Sequence, residues 1–165
     1  MTLKVTYMEL RQPPALYEAW HGPEQVRIEK LDIRDYLALY QGVGAPLGWD
    51  QRMHMPRADL AALLDSSSLR IYVLRDPQGQ AIGLCEFDRS GFPEVELKNF
   101  GLIPQVYGRG LGPWLLATAL QAEWQEKPAR IWLHTDTWDH PAAVPVYERA
   151  GFAVYAVREE PLAGL

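Results

Sequence analysis

Three glycines close together in the second half of the chain indicate a site for phosphate. Gly108, Gly110 and Gly112 follow an apolar extended run, and Pro113 opens a helical pattern directly after them. Glycine lets the main chain approach a ligand closely and adopt positive φ, and the first N–H groups of a helix lack intrahelical partners. Proline in a first helical turn gives up only such an unpartnered N–H. The stretch therefore predicts a phosphate-binding loop at a helix N-terminus.

Two other kinds of phosphate loop fit this pattern poorly. A Walker loop closes with Lys-Ser or Lys-Thr, whereas Gly112 is followed by Pro113 and Trp114. A dinucleotide fingerprint, as in a nucleotide-binding oxidoreductase, has its glycines near the start of a βαβ unit and an acid after the next strand. Asp136 could be that acid, but several antiparallel-looking strands precede the glycines. We therefore reject the first interpretation and regard the second as weak.

Composition places the chain among ordinary globular proteins. Its 165 residues, 48% of them hydrophobic, suffice for one core, so we expect a single domain over residues 1–165. The net charge of −5 argues against a general nucleic-acid-binding surface. The single cysteine, Cys85, excludes an internal disulfide and leaves no zinc framework, so no metal is expected. Without a long apolar run or a signal peptide, we expect a cytoplasmic protein that does not enter the membrane.

The hydrophobic periodicity predicts an α/β fold with a mixed sheet. Helices are expected over residues 33–40, 57–64, 110–125 and 141–150. Strands are expected over residues 3–7, 25–29, 69–74, 81–87, 94–102, 131–135 and 152–157. The sixth of these strands is apolar on both faces and follows a helix, so it should be buried and parallel to the strand before that helix. The predicted sheet is antiparallel first and βαβ-like later.

Two motifs in this order resemble the GNAT superfamily of N-acetyltransferases. Gln105-x-x-Gly108-x-Gly110 resembles the loop with which that superfamily binds the coenzyme A pyrophosphate. Tyr147-Glu148-Arg149-Ala150-Gly151-Phe152 resembles its closing helix, turn and strand. Residues 100–102 and 132–135 are similar to those of an uncharacterised bacterial branch. The resemblance covers roughly residues 69–157 and implies one GNAT-like domain, with a mostly antiparallel twisted sheet flanked by helices, that uses acetyl-coenzyme A.

The resemblance assigns one group of residues to the cofactor. The backbone N–H groups of residues 106–111 would hold the pyrophosphate, and Arg109 would offer a flexible positive charge. Leu102 stands where the superfamily's strand opens from its neighbour, and Gly101 suits a bulge there. His140 replaces an asparagine that often contacts the pantetheine arm. The cofactor-binding residues implied are Leu102, Gln105, Val106, Tyr107, Gly108, Arg109, Gly110, Leu111, Gly112 and His140.

A second group of residues could transfer protons. Tyr147 matches the superfamily tyrosine that often protonates the departing thiolate, a role that suits a phenol. An amine must be neutral to attack a thioester, so some group must accept a proton. Glu96 is the first choice, because regular strand alternation would turn it to the same face as Leu102. His134 and Asp136, which share a face near the carboxyl end of the next strand, are the second choice.

Aromatic residues around the first helix predict an acceptor pocket. Tyr36, Tyr40, Trp49 and Arg52 cluster there, which suits an amine that carries a carboxylate or a ring, although these rings could instead only cover the sheet. The predicted function is transfer of an acetyl or short acyl group from acetyl-coenzyme A to a small-molecule or peptide amine. We expect direct attack in a ternary complex, by a monomer or homodimer. The alternative is a non-catalytic module that binds acyl-coenzyme A as a sensor or interaction partner.

Overall fold

A seven-stranded sheet with helices on both faces forms the protein, of which the computed structural model describes residues 2–161. The strands are β1 (Thr2–Leu10), β2 (Gln25–Ile28), β3 (Leu69–Arg75), β4 (Ala81–Asp88), β5 (Glu94–Leu102), β6 (Arg130–Asp136) and β7 (Ala153–Pro161). The helices are α1 (Ile33–Gly44), α2 (Arg57–Asp65), α3 (Leu111–Trp124) and α4 (Ala143–Ala150). Short 3-10 helices cover Ala45–Leu47, Gln51–His54 and Pro104–Val106.

The strands lie in the order β2, β3, β4, β5, β6, β1, β7. All neighbours are antiparallel except β5 and β6, which are parallel and are connected through α3. Parallel strands need a crossover of this kind. The structure therefore confirms the predicted mixed sheet, with its antiparallel first part and its later βαβ unit. The strand order adds that β1 lies between β6 and β7 rather than at an edge.

Helix α1 is longer than its sequence pattern predicts. It begins after Asp32, whose side chain accepts a hydrogen bond from the N–H of Asp35, as an N-cap residue does. The helix was expected to stop before Gly42, but it continues through Gly44. Glycine inside a helix costs about 1 kcal/mol, and burial of side chains such as Val43 in that last turn offsets this cost.

Apolar side chains fill both faces of the sheet. Under α3 and α4 the core contains, among others, Met8, Leu115, Leu120, Ile131 and Phe152. Under α1 and α2 it contains, among others, Tyr36, Leu39, Leu60, Val73 and Leu84. Cys85 is fully buried, and burial raises the pKa of its thiol, so it is not available as a nucleophile.

Candidate active site

Strands β5 and β6 run side by side only at their beginning. Their pairing ends at Glu96 and Trp132 in the described sheet, although the strands continue to Leu102 and Asp136. The two strands therefore diverge, and main-chain groups in the second half of β5 have no strand partner on that side. A crevice opens at the carboxyl ends of these parallel strands, which is where α/β sheets commonly bind ligands.

A β-bulge in β5 decides which side chains enter this crevice. Lys98 is the extra residue, because the pairing with β4 shifts by one there. The bulge restarts the alternation, so Leu102 packs into the core under α3 whereas Glu96 lies on the opposite face. The prediction that Glu96 shares a face with Leu102 is therefore wrong, since it assumed regular alternation. The sequence suggested a bulge at Gly101, but the observed bulge lies three residues earlier, at Lys98.

Two pockets, the β6 pocket and the α3 pocket, open beside the second half of β5 and meet at Tyr147. Trp49, Phe100, Asp139 and Tyr147 line both of them. The β6 pocket is further lined by β5, by β6 and the turn after it, and by α1 and the turns after that helix, among them Tyr40, Arg52, Lys98, Asn99, His134, Asp136 and Trp138. The α3 pocket is further lined by β5, the glycine loop and α4, among them Leu102, Tyr107, Gly108, Gly110, Gly112, His140 and Val146.

The glycine loop forms the polar end of the α3 pocket. Gly108 and Gly110 have φ values of 79° and 78°, in the left-handed region, and α3 begins directly after Gly110. A Cβ at either position would meet nothing within 4 Å, so the backbone conformation and not crowding calls for glycine. Among the described residues, the N–H groups of Gly108, Arg109 and Gly110 make no backbone hydrogen bond. These donors and the positive end of α3 suit an anionic group.

Fewer loop donors are free than the sequence predicts. The N–H of Val106 donates to the carbonyl of Ile103 at 3.2 Å, and that of Tyr107 donates to Pro104 at 3.1 Å. These bonds close the 3-10 turn before the glycines. The expectation that all N–H groups of residues 106–111 are open to a pyrophosphate is therefore wrong for the first two.

Arg109 is also less free than expected. Its Nη2 lies 2.6 Å from Oε2 of Glu24, which the sequence did not connect with the loop. The guanidinium remains about half exposed, so it is anchored on one side and open on the other.

The rest of the α3 pocket is largely apolar. Its walls are side chains of β5 and α4, such as Leu102 and Val146. His140 lies at its rim, where Nδ1 accepts the N–H of Ala142 at 3.0 Å and the ring meets Tyr107 edge-on at 5.0 Å. Anion donors at one end, apolar walls and unpaired main chain along β5 together fit coenzyme A, with its pyrophosphate and its pantetheine arm.

Tyr147 is held at the junction of the pockets by aromatic packing. Its ring centroid lies 5.8 Å from Phe100 and 5.8 Å from Phe152, and the residue is only 7% exposed. Burial, and to a smaller extent the charge of Asp139, raises the pKa of the phenol above its ordinary value of 10.0. The hydroxyl is therefore protonated at neutral pH, as a proton donor must be.

The candidate bases lie together beside the β6 pocket. His134 lines the pocket, and its Nε2 lies 3.9 Å from Oε2 of Glu96, which is mostly buried behind it. Lys98 Nζ lies 3.6 Å from the same carboxylate. Asp136 also lines the pocket, and its carboxylate accepts the N–H of Trp138 at 2.8 Å. The sequence treated Glu96 and His134 as separate choices, and the structure makes them neighbours.

A buried network lies beneath the β6 pocket. Glu86 is fully buried and accepts hydrogen bonds from Tyr36 at 2.5 Å, Arg52 at 2.6 Å and Asn99 at 3.2 Å. Tyr36 is itself fully buried and does not line the pocket, so the prediction that it contacts the acceptor is wrong. Arg52 does line the pocket, but Glu86 neutralises its charge. The sequence analysis missed Glu86. Its position within an otherwise apolar strand is the feature that could have indicated a buried, paired carboxylate.

Residues 2–161 contain neither a cluster suited to a metal ion nor a helix suited to a membrane. No group of three or more His, Cys, Asp or Glu side chains there is arranged to hold a metal ion. No helix in that range is long and apolar enough to cross a membrane.

The family model described as "Acetyltransferase (GNAT) family" matches residues 28–152. The chain belongs to the GNAT acetyltransferase family. The matched range contains the glycine loop, the diverging strands and Tyr147. No curated protein matches the chain in sequence.

Solved structures confirm the GNAT fold, since 190 chains match. A GCN5-related N-acetyltransferase from Sphaerobacter thermophilus has a TM-score of 0.66 and 21% identity, over 99% of this chain and 54% of that one. A tandem GNAT protein from the clavulanic acid biosynthesis pathway has a TM-score of 0.66 and 16% identity, over 96% and 52%. A spermidine N-acetyltransferase from Vibrio cholerae, described as dodecameric, has a TM-score of 0.61 and 22% identity, over 81% of each chain. The chain thus spans about half the length of the first two.

Proposed function

We propose that this GNAT protein transfers an acetyl or short acyl group from acetyl-coenzyme A to an amine, by direct attack in a ternary complex. The observation that carries the proposal is the meeting of the two pockets at Tyr147. A thioester entering from the α3 pocket and an amine entering from the β6 pocket would come into contact there. The full burial of Cys85 supports direct attack over a covalent thioester intermediate on the enzyme.

The α3 pocket would hold the cofactor through groups already described. The N–H groups from Gly108 onward would bind the pyrophosphate together with Arg109. Unpaired main chain near Leu102 would hydrogen-bond the pantetheine amides and the acyl carbonyl. When bound, coenzyme A supplies an activated acyl group on a thiol leaving group.

The chain's own residues would move two protons. Tyr147 would donate its hydroxyl proton to the sulfur as the carbon–sulfur bond breaks. His134 would accept the proton that the amine nitrogen loses as the carbon–nitrogen bond forms. Glu96, 3.9 Å behind the imidazole, would stabilise the resulting positive charge. The proton donor and the proton acceptor are then different residues.

The charges around the β6 pocket favour an amine that binds as its ammonium cation and loses one proton to water before the neutral nitrogen attacks. Three aspartates line the pocket, namely Asp50, Asp136 and Asp139. Lys98 also lines it, but its ammonium lies 3.6 Å from the carboxylate of Glu96. Arg52 is ion-paired with Glu86 below the pocket, so an acceptor carboxylate would not find a free guanidinium there. This revises the expectation of an acceptor that carries a carboxylate. Tyr40 and Trp49 remain as aromatic walls for the body of the substrate.

Release of the coenzyme A thiol against a panel of amines tests the proposal. Release that depends on the amine, with acetylated amine as the second product, is the expected result. Tight binding of acetyl-coenzyme A with no such release would instead support the non-catalytic module. The single domain over residues 1–165, the cytoplasmic location and a monomeric or dimeric state belong to the same proposal, and cell fractionation and light scattering test the last two.

A further inference from the structure

The connection between β1 and β2 packs against the glycine loop. Residues 11–24 form no helix or strand and are mostly exposed, but two of their side chains are anchored. The indole of Trp20 stacks on Trp114, in the first turn of α3, with 5.3 Å between ring centroids. Glu24 is 6% exposed and reaches Arg109 in the loop itself. A segment remote in sequence therefore borders the proposed pyrophosphate site.

The carboxylate of Glu24 joins this segment to the loop. Its Oε2 lies 2.6 Å from Nη2 of Arg109, and its Oε1 accepts the indole N–H of Trp20 at 3.0 Å. Burial raises the pKa of Glu24, but hydrogen bonds from its backbone N–H, Arg109 and Trp20 lower that pKa by more. The carboxylate is therefore ionised at neutral pH, with both oxygens bonded.

Close packing around Gly22 shows that the arrangement is built into the segment. A Cβ at this position would lie 2.5 Å from Nε1 of Trp20 and 2.6 Å from Oε1 of Glu24. Distances this short are not compatible with a side chain unless the indole and the carboxylate move. Glycine at this position therefore allows the indole and the carboxylate to meet.

A buried negative charge beside a phosphate loop has two opposite effects. It repels the phosphates directly, and it also fixes the cation that would bind them. The residues directly beside Arg109 offer it no side-chain contact, because both are glycines. With Nη2 held by Glu24, about half of the Arg109 side chain remains exposed and its other N–H groups can face a ligand.

We propose that Glu24 is a positioning residue. It holds Arg109 so that the remaining guanidinium N–H groups of Arg109 meet the pyrophosphate of the cofactor. Residues 11–24 are then part of the cofactor site. The inference rests on the proposed function in taking acetyl-coenzyme A as the ligand. If residues 11–24 strengthen cofactor binding, then bound cofactor must in turn stabilise residues 11–24, because coupled equilibria are reciprocal. Bound acetyl-coenzyme A should therefore protect the amides of residues 11–24 from hydrogen exchange.

Glu24→Gln tests this inference, because the direction in which it changes the affinity for acetyl-coenzyme A shows whether positioning or repulsion dominates. The substitution keeps the size and the Trp20 contact but removes the charge that anchors Arg109. We expect the Kd and KM for acetyl-coenzyme A to rise about three- to tenfold, with kcat at saturation unchanged. The kcat/KM for S-acetylpantetheine, which has no pyrophosphate, should not change. Unchanged or tighter binding of acetyl-coenzyme A by the variant would overturn the inference, and tighter binding would show that repulsion dominates.

Three further variants isolate the contact. Gly22→Ala should weaken acetyl-coenzyme A binding without any change of charge. In an Arg109→Ala background, Glu24→Gln should cause no further weakening, because there is no guanidinium left to position. Glu29→Gln, which breaks the ion pair with Arg75, is the matched control and should leave the Kd unchanged.

The two proposals fail in different ways. If the wild type does not bind acetyl-coenzyme A, both are overturned. If the wild type binds it and Glu24→Gln binds it equally well, only the positioning role is overturned. Should Glu24→Gln lose its fold, which far-UV circular dichroism would report, Gly22→Ala still decides the question, because it leaves the Glu24 carboxylate in place.

Discussion

Replacement of Tyr147 by phenylalanine tests the proposed proton donor most directly. The substitution removes one hydroxyl from a ring that is packed between Phe100 and Phe152. Because the aromatic contacts remain, the free energy of unfolding should change by about 1 kcal/mol or less. The affinity for acetyl-coenzyme A should also stay close to that of the wild type.

The turnover number should fall far more than the stability. We expect a loss of roughly ten- to a thousandfold, or about 1.4 to 4 kcal/mol in the activation barrier, which overlaps the usual contribution of a positioned general acid. The loss should shrink when a thioester of a more acidic thiol replaces acetyl-coenzyme A, because that thiolate needs less protonation. Since burial raises the pKa of Tyr147, ionisation of this phenol should not reduce the wild-type rate between pH 7 and its ordinary pKa of 10.0.

Thiol release and calorimetric binding, measured on one preparation with an identified acceptor, give turnover and affinity together. Tyr72→Phe is the matched control, because it deletes another buried hydroxyl that donates to Glu123 at 2.5 Å and lines neither pocket. It should alter stability and leave kcat nearly intact. Full activity of Tyr147→Phe, or an equal loss in the control, would refute the proposed donor.

Three other perturbations test the remaining parts of the site. Saturating acetyl-coenzyme A should raise the Tm of the wild type. Gly110→Asp should abolish that rise, because it places a carboxylate at the proposed phosphate loop. An equal rise in the variant would contradict the proposed role of the loop. Arg52→Ala should lower the free energy of unfolding by about 3 to 5 kcal/mol, because it leaves the buried Glu86 carboxylate without its cation. Urea denaturation measures this change, and a loss below about 1 kcal/mol would contradict the expectation. Because the folded-state pKa of Glu24 lies below its ordinary value of 4.5, its stabilising contribution is complete above that pH and is lost as the pH falls through the folded value. The free energy of unfolding should therefore fall less steeply with acid in Glu24→Gln than in the wild type, and equal slopes would contradict this.

Local rules were enough to predict much of this protein from its sequence. The glycine spacing at residues 108–112 and the proline after it predict a loop before a helix, and the left-handed Gly108 and Gly110 have that geometry. The predicted helix between two parallel strands is α3 between β5 and β6. These features depend on backbone conformation and on short-range periodicity, which neighbouring residues determine.

Features that depend on contacts between distant segments required the tertiary structure. The bulge at Lys98 turns Glu96 away from the face of Leu102, and the pairing with β4 that creates it is invisible in a local pattern. The ion pair of Arg52 with Glu86 spans 34 positions, and that of Arg109 with Glu24 spans 85.

The sequence by itself therefore determined the fold family, the glycine loop before α3 and the helix that carries Tyr147, because each leaves a signal in residues close together in the chain. The tertiary structure decided which charges are free. Folding brought Glu86 and Glu24 into contact with two arginines that the sequence offers as open cations, and it placed His134 in front of Glu96. Free charge is a property of the surroundings of a side chain, and those surroundings exist only once the strands and loops have met.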